Sequence, residues 1–214
     1  MPTISAMRID YLAASPDRAG RYTLRFDDGS SMRLYRQTVE DFGLYAGLEL
    51  SEEALSELRR AAGKMSAKMR AVRIVSASSV SKRDLEQRLV HKGEDALDAK
   101  QAVEWMEGLN LLDDRATAEQ VVRSCAAKGY GLSRAKQALY EKRIPKDLWE
   151  EALADFPDQS EKIEQFLRSR LDSRSDQRQV KRAVDALIRR GHSYGSIRKV
   201  LSDMQLETED FLED

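Results

Sequence analysis

Two histidines, one cysteine and a few paired acids have side chains suited to chemistry, and their spacing argues against it. His91 and His192 each stand within two residues of a glycine at a predicted helix boundary, where a solvated or helix-capping histidine is expected. Cys125 shares helical spacing with Ala118, Val121 and Val122, which marks a small buried apolar residue. One cysteine and two histidines give no zinc-binding spacing, and no Walker loop, GxSxG elbow or HExxH stretch occurs. Asp113-Asp114 could hold a metal or share a proton, but between two predicted helices they read as an N-cap and a dipole-neutralising first turn. Gly129-Tyr130-Gly131 follows a predicted helix rather than a strand, so it reads as a helix end and turn. No catalytic residue, metal or cofactor is expected, and the chain is read as a non-enzyme.

Binding chemistry is the better prospect. The stretch from Arg168 to Arg190 holds Arg168, Arg170, Arg174, Arg178, Lys181, Arg182, Arg189 and Arg190 against Asp172, Asp176 and Asp185. Helical spacing places Arg174, Arg178, Lys181 and Arg182 near one face. Such a face suits a phosphate backbone or an acidic protein surface, and is otherwise a solvated helix side. The formal net charge is −1, so any polyanion contact must come from a local basic face of this kind. Two predicted helix–turn–helix units also present cations after their turns, Arg134 and Lys136 beside Ser133, then Arg198 and Lys199 beside Ser196. The same motif in a helical array merely lets two helices pack. The candidate contact residues are Arg174, Arg178, Lys181, Arg182, Arg189, Arg190, Arg134 and Lys136.

The elements that must position them are repeated. Ser79 to Leu89, Gly129 to Leu139 and Gly191 to Leu201 align without a gap, starting 50 and then 62 positions apart. Each opens on small turn-forming residues and carries an apolar pair four residues apart, namely Leu85/Leu89, Ala135/Leu139 and Ile197/Leu201. One such unit cannot bury its apolar side alone, so a mainly α fold of tandem three-helix repeats in an elongated, curved array is expected. Repeats are expected over 68–114, 115–157 and 158–214, the last with an acidic tail, after a linking helix over 51–67. Residues 1–50 differ. Tyr22 to Phe26 and Met32 to Tyr35 alternate around Asp27-Asp28-Gly29-Ser30, which predicts a hairpin. Ile4 to Leu12 supplies a third strand, and a short helix is expected around Thr38 to Leu44.

Hydrophobic residues make up 41% and charged residues 34% of the 214, a balance that suits a soluble, charge-rich helical protein. No apolar run approaches the roughly 18 residues of a membrane span, and the first ten residues lack the hydrophobic region of a signal peptide. A cytoplasmic protein that does not engage a membrane is expected.

The motifs resemble those of a family. Ile74-Val75-Ser76, Ser81 to Leu85 and Asn110-Leu111-Leu112-Asp113-Asp114 match the first repeat of the RecX regulatory proteins, with Asp84 where that family has glutamate. Lys128-Gly129-Tyr130-Gly131 matches the second repeat, and Arg189-Arg190-Gly191-His192-Ser193-Tyr194 the third. Ser78 stands where the family has an arginine, and His192 where it has an aromatic. The N-terminal hairpin is similar to the extension of longer members. The resemblance implies a monomeric, non-enzymatic modulator of the RecA recombinase. It would bind the RecA–DNA filament, with single- or double-stranded DNA as a further partner, and limit recombination, ATP hydrolysis and co-protease activity in DNA repair and the SOS response. A stand-alone DNA-binding repeat protein is the alternative.

Overall fold

A computed structural model describes residues 6–16, 20–172 and 175–205. The chain divides into two compact units, Met1–Leu112 and Asp113–Asp214. Ile4 and the acidic stretch over 207–214 lie outside the described residues.

The first unit opens with strands β1 (Met7–Ala14), β2 (Arg21–Phe26) and β3 (Ser31–Tyr35). The expected hairpin forms because Gly29 takes φ +82° and the Asp28 carboxylate accepts from the Ser30 amide at 2.8 Å. Helix α1 (Arg36–Asp41) starts and ends earlier than the expected Thr38 to Leu44, and β4 (Glu49–Leu50) completes an antiparallel sheet of order β3-β2-β1-β4. β1 is bulged between Ile9 and Tyr11, which keeps Ile9 and Leu12 both on the inner side. There they join Leu24, Phe26, Leu34, Leu44 and Leu50 in a core closed by Leu55 and Leu58.

Those two leucines belong to α2 (Glu52–Ala77), a single helix of 26 residues capped by the Ser51 hydroxyl on the Ala54 amide. The expected boundary between a linking helix and the first repeat falls inside this helix. Gly63 does not interrupt it. A Cβ there would lie 2.5 Å from the Asp98 carboxylate oxygen, so the glycine makes room for α4 (Ala96–Gly108). Burial, with the neighbouring Asp95 carboxylate adding to it, raises the Asp98 pKa, and Lys64 only partly offsets this. Between them runs α3 (Lys82–His91), capped by Ser81 on the Asp84 amide at 3.1 Å. Ala67, Ala71, Val80, Leu85, Leu89, Ala99, Val103 and Met106 form the second core of this unit. Leu109 continues the spacing of Ala99, Val103 and Met106 but is the exposed residue that follows the end of α4.

The second unit has α5 (Asp114–Ala127), α6 (Leu132–Glu141), a 3-10 turn (Lys146–Leu148) and α7 (Trp149–Leu153) around Ala118, Val122, Leu139 and Ile144. Helices α8 (Ser160–Arg168), α9 (Gln177–Arg189) and α10 (Tyr194–Asp203) enclose Ile163, Leu167, Val180, Leu187, Ile197 and Leu201. All six residues of the matched pairs, Leu85/Leu89, Ala135/Leu139 and Ile197/Leu201, are at most 1% exposed, so the repeat marks equivalent core positions. Asp113 caps α5, accepting from the Arg115 and Ala116 amides at 2.9 and 3.1 Å, and Asp114 stands in the first turn as expected.

Candidate functional site

Helix α9 owes its position to a strongly two-sided sequence. Val180, Ala183 and Leu187 are buried, while Arg178, Lys181, Arg182, Asp185 and Arg189 face solvent. Its start is held by a capping box, with Asp176 and Gln179 each accepting from the other's backbone amide at 2.8 Å. Among the described residues, the side chains of Arg178, Lys181, Arg182 and Arg189 have no ion pair or hydrogen bond. Arg174 lies outside the described residues, and α9 begins only at Gln177.

The other candidates are partly committed elsewhere. Arg190 is half-buried, its guanidinium 4.8 Å from the centre of the Phe166 ring, which Arg170 also covers at 4.4 Å. Arg134 on α6 pairs with Glu141 at 3.1 Å. Hydrogen bonds from Gln137 and then Arg134 hold the Glu141 carboxyl below its ordinary range. Lys136 remains exposed one residue beyond the buried Ala135, and Arg198 holds the corresponding place after Ile197 on α10.

The turns before α6 and α10 are locked together. The Gly131 amide donates to the Arg190 carbonyl at 3.0 Å, and the Ser133 amide donates to the Gly191 carbonyl at 3.2 Å. Gly131 has no side chain with which to cap α6, so the Gly191 carbonyl satisfies an amide of the first turn. The approach is so close that a Cβ on Gly131 would lie 2.1 Å from that carbonyl oxygen. Gly191, at φ +88°, has no room for one either, with the Arg134 backbone nitrogen 2.3 Å away.

His192 completes the lock, and here the sequence-based expectation is wrong. The side chain is buried rather than solvated, with its Nε2 3.0 Å from the Gly129 carbonyl, to which the Nε2–H tautomer donates. Burial is the main cause that lowers the His192 pKa. Arg190 acts in the same direction, and the hydrogen bond to Gly129 opposes both. His91 is exposed, as expected. Cys125 is buried, and desolvation pushes its thiol pKa up. Among the described residues no group of three or more His, Cys, Asp or Glu is placed to hold a metal, and no helix is long and apolar enough to cross a membrane.

Successive small helical cores, equivalent buried pairs and a joint made from repeated turns define a mainly helical repeat protein with a small N-terminal antiparallel sheet. Residues 113–153 match the family model described as RecX, second three-helix domain. A regulatory protein RecX of Vibrio parahaemolyticus is 30% identical over 147 residues, which cover 67% of this chain and 95% of that protein. One from Clostridioides difficile is 23% identical over 204 residues, covering 92% of this chain and 94% of its own length. A crystal structure of regulatory protein RecX aligns with a TM-score of 0.60 at 21% identity, covering 92% of this chain and 99% of the other. The RecX structure from Lactobacillus salivarius gives 0.56 at 21% identity over 69% of this chain and 99% of its own. The chain belongs to the RecX family of regulatory proteins.

Proposed function

We propose that this protein binds the RecA recombinase on DNA and limits its recombinase, ATPase and co-protease activities, acting as a cytoplasmic monomer without a cofactor. Family membership carries the reading, since the relatives bear the name of a regulator. In this proposal the repeats over 68–114, 115–157 and 158–214 are the working modules, and the solvent side of α9 supplies a contact. The unengaged Arg178, Lys181, Arg182 and Arg189 give that side a cationic face interrupted only by Asp185. Such a face attracts phosphates or an acidic protein surface.

The experiment adds the protein to RecA on single-stranded DNA and follows ATP hydrolysis and strand exchange. Both rates are expected to fall, and unchanged rates at molar excess would reject the assignment. A variant with Arg178, Lys181 and Arg182 replaced by glutamine should inhibit less, with little change in folding stability because all three are exposed. If these cations touch phosphate, the salt dependence of binding to single-stranded DNA flattens by roughly 0.7 for each phosphate the variant no longer neutralises. Weakened binding at an unchanged slope assigns the face to the recombinase itself. Salt-dependent binding to DNA together with unchanged RecA ATP hydrolysis and strand exchange favours a stand-alone DNA-binding protein.

A further inference from the structure

The outer side of the N-terminal sheet is a second large surface with a composition suited to binding. Ile9, Leu12, Leu24, Phe26, Met32 and Leu34 all belong to the inner side, so alternation turns the residues between them outward. The register then sets out two rows across β1, β2 and β3. One row is Tyr11, Arg25, Ser31, and the next is Ala13, Thr23, Arg33. Arg25 and Arg33 are diagonal neighbours, about 7–8 Å apart at the backbone. Neither row contains an acid. The nearest ones are Asp10 in the bulge, Asp27 and Asp28 in the turn, and Glu49 opposite Arg8 on β4.

The side chains of these rows are available. Tyr11 is 46% exposed, with the Arg25 guanidinium 5.4 Å from its ring centre. Arg33 is exposed, and its side chain has no ion pair or hydrogen bond among the described residues. Thr23, whose hydroxyl lies 3.0 Å from that of Ser15, and Ala13 are small, so Arg25 is the one large side chain of these rows between Tyr11 and Arg33. At the end of β3 the Tyr35 hydroxyl accepts from Arg73 of α2 at 2.9 Å, which holds a further guanidinium at that edge. An exposed aromatic ring beside guanidinium planes on an open sheet is the arrangement that stacks unpaired bases while cations take the phosphates.

We infer that the outer side of the β1–β2–β3 sheet is a contact for single-stranded nucleic acid, with Tyr11 stacking a base and Arg25 and Arg33 holding the adjoining phosphates. The occupant is single-stranded because in a duplex the base faces that Tyr11 requires are already stacked on one another. This contact is independent of the recombinase and of α9, so its test uses the full chain alone.

The probe is a fluorescein-labelled oligothymidylate of roughly twenty nucleotides, followed by anisotropy at low salt. The wild type should bind it, with an unlabelled duplex of equal length competing poorly. Tyr11→Ala should bind about five- to a hundredfold more weakly, whereas Tyr11→Phe, which keeps the ring, should bind as the wild type does. The Arg25→Gln/Arg33→Gln variant should weaken binding and reduce the salt slope by roughly 1.4. Tyr11→Ala should weaken binding by the same factor in the α9 glutamine variant as in the wild type, because the two surfaces are separate. The inference is overturned if the wild type does not bind, if Tyr11→Ala binds unchanged, or if only the α9 variant loses binding. It is equally overturned if the sheet variants bind the oligonucleotide normally but lose the recombinase filament, which would make this surface a protein contact.

Discussion

Replacing Gly131 by alanine tests the locked turns most directly. The new methyl carbon would lie 2.1 Å from the Gly191 oxygen, 2.3 Å from its carbonyl carbon and 2.4 Å from the His192 nitrogen. All three are backbone atoms, so no side chain can swing aside and the turns must separate. Separation breaks the Gly131–Arg190 and Ser133–Gly191 hydrogen bonds and the bond from His192 to Gly129. At about 0.5–1.5 kcal/mol net for each, the cost is about 1.5–4.5 kcal/mol before any strain in the neighbouring core. Urea unfolding followed by tryptophan fluorescence reports on this unit through Trp149, and hydrogen exchange at the Gly131 and Ser133 amides reports on the joint itself. Gly195→Ala is the matched control. It lies in the first turn of α10 with only the Ser193 hydroxyl, 4.0 Å away, near its would-be Cβ, so it should be neutral or stabilising by up to about 1 kcal/mol. If Gly131→Ala unfolds within about 0.5 kcal/mol of the wild type and its amides exchange no faster, the interlocking does not contribute to stability and the reasoning fails.

The buried histidine makes stability depend on pH. Because burial lowers the folded pKa of His192 from its ordinary value of 6.5, the unfolded chain takes up that proton first. Stability from this residue is therefore full above about pH 6.5 and is lost as pH falls through the folded pKa, by at most about 1.4 kcal/mol per pH unit. His192→Phe should remove that component from a series of melts between neutral and mildly acidic pH, and identical pH profiles would refute it. Asp113→Ala should cost about 1 kcal/mol through removal of the α5 cap, read by the same urea unfolding. Adding a divalent cation to the wild type should leave its melting unchanged, whereas a cation-dependent rise would restore the metal reading of Asp113-Asp114.

Most of the core is legible in the sequence because equal spacing of apolar pairs survives any detail of packing. Leu85, Ala135 and Ile197 are recognisable as equivalent from spacing alone. The turns hold a subtler signal. Val80, Tyr130 and His192 occupy one aligned position, and Val80 is buried, so the repeat itself argues for a buried histidine. Residue type, which for histidine favours solvent, points the other way and misleads. Gly131 likewise stands where the other two copies have the capping residues Ser81 and Ser193. A missing cap hints at a backbone contact, but only the fold shows which turn approaches. Helical spacing identifies Arg178, Lys181 and Arg182 because exposure on one helix is a local property. The engagement of Arg190 by Phe166 and of Arg134 by Glu141 depends on neighbours that spacing does not bring together. β4, two residues long, is too short for alternation to register. The facing of Tyr11 and Arg25 requires the bulge, which shifts the β1 pattern by one residue.

Helix α2 gives the sheet a mechanical relationship to the helical core beside it. With 26 residues it is about 39 Å long, and it carries Leu55 and Leu58 at one end and Ala67 and Ala71 towards the other. A shaft anchored in two cores converts a small rotation at one into a displacement at the other. Tilting it by about 5° around its C-terminal anchorage swings the sheet end by about 3 Å, comparable to the spacing of stacked bases. A partner on α3 or α4 that tilted this helix would move the sheet without touching it. Lengthening α2 by one residue would rotate the sheet by about 100° around the shaft, so helical phase as well as reach sets where Tyr11 and Arg25 point.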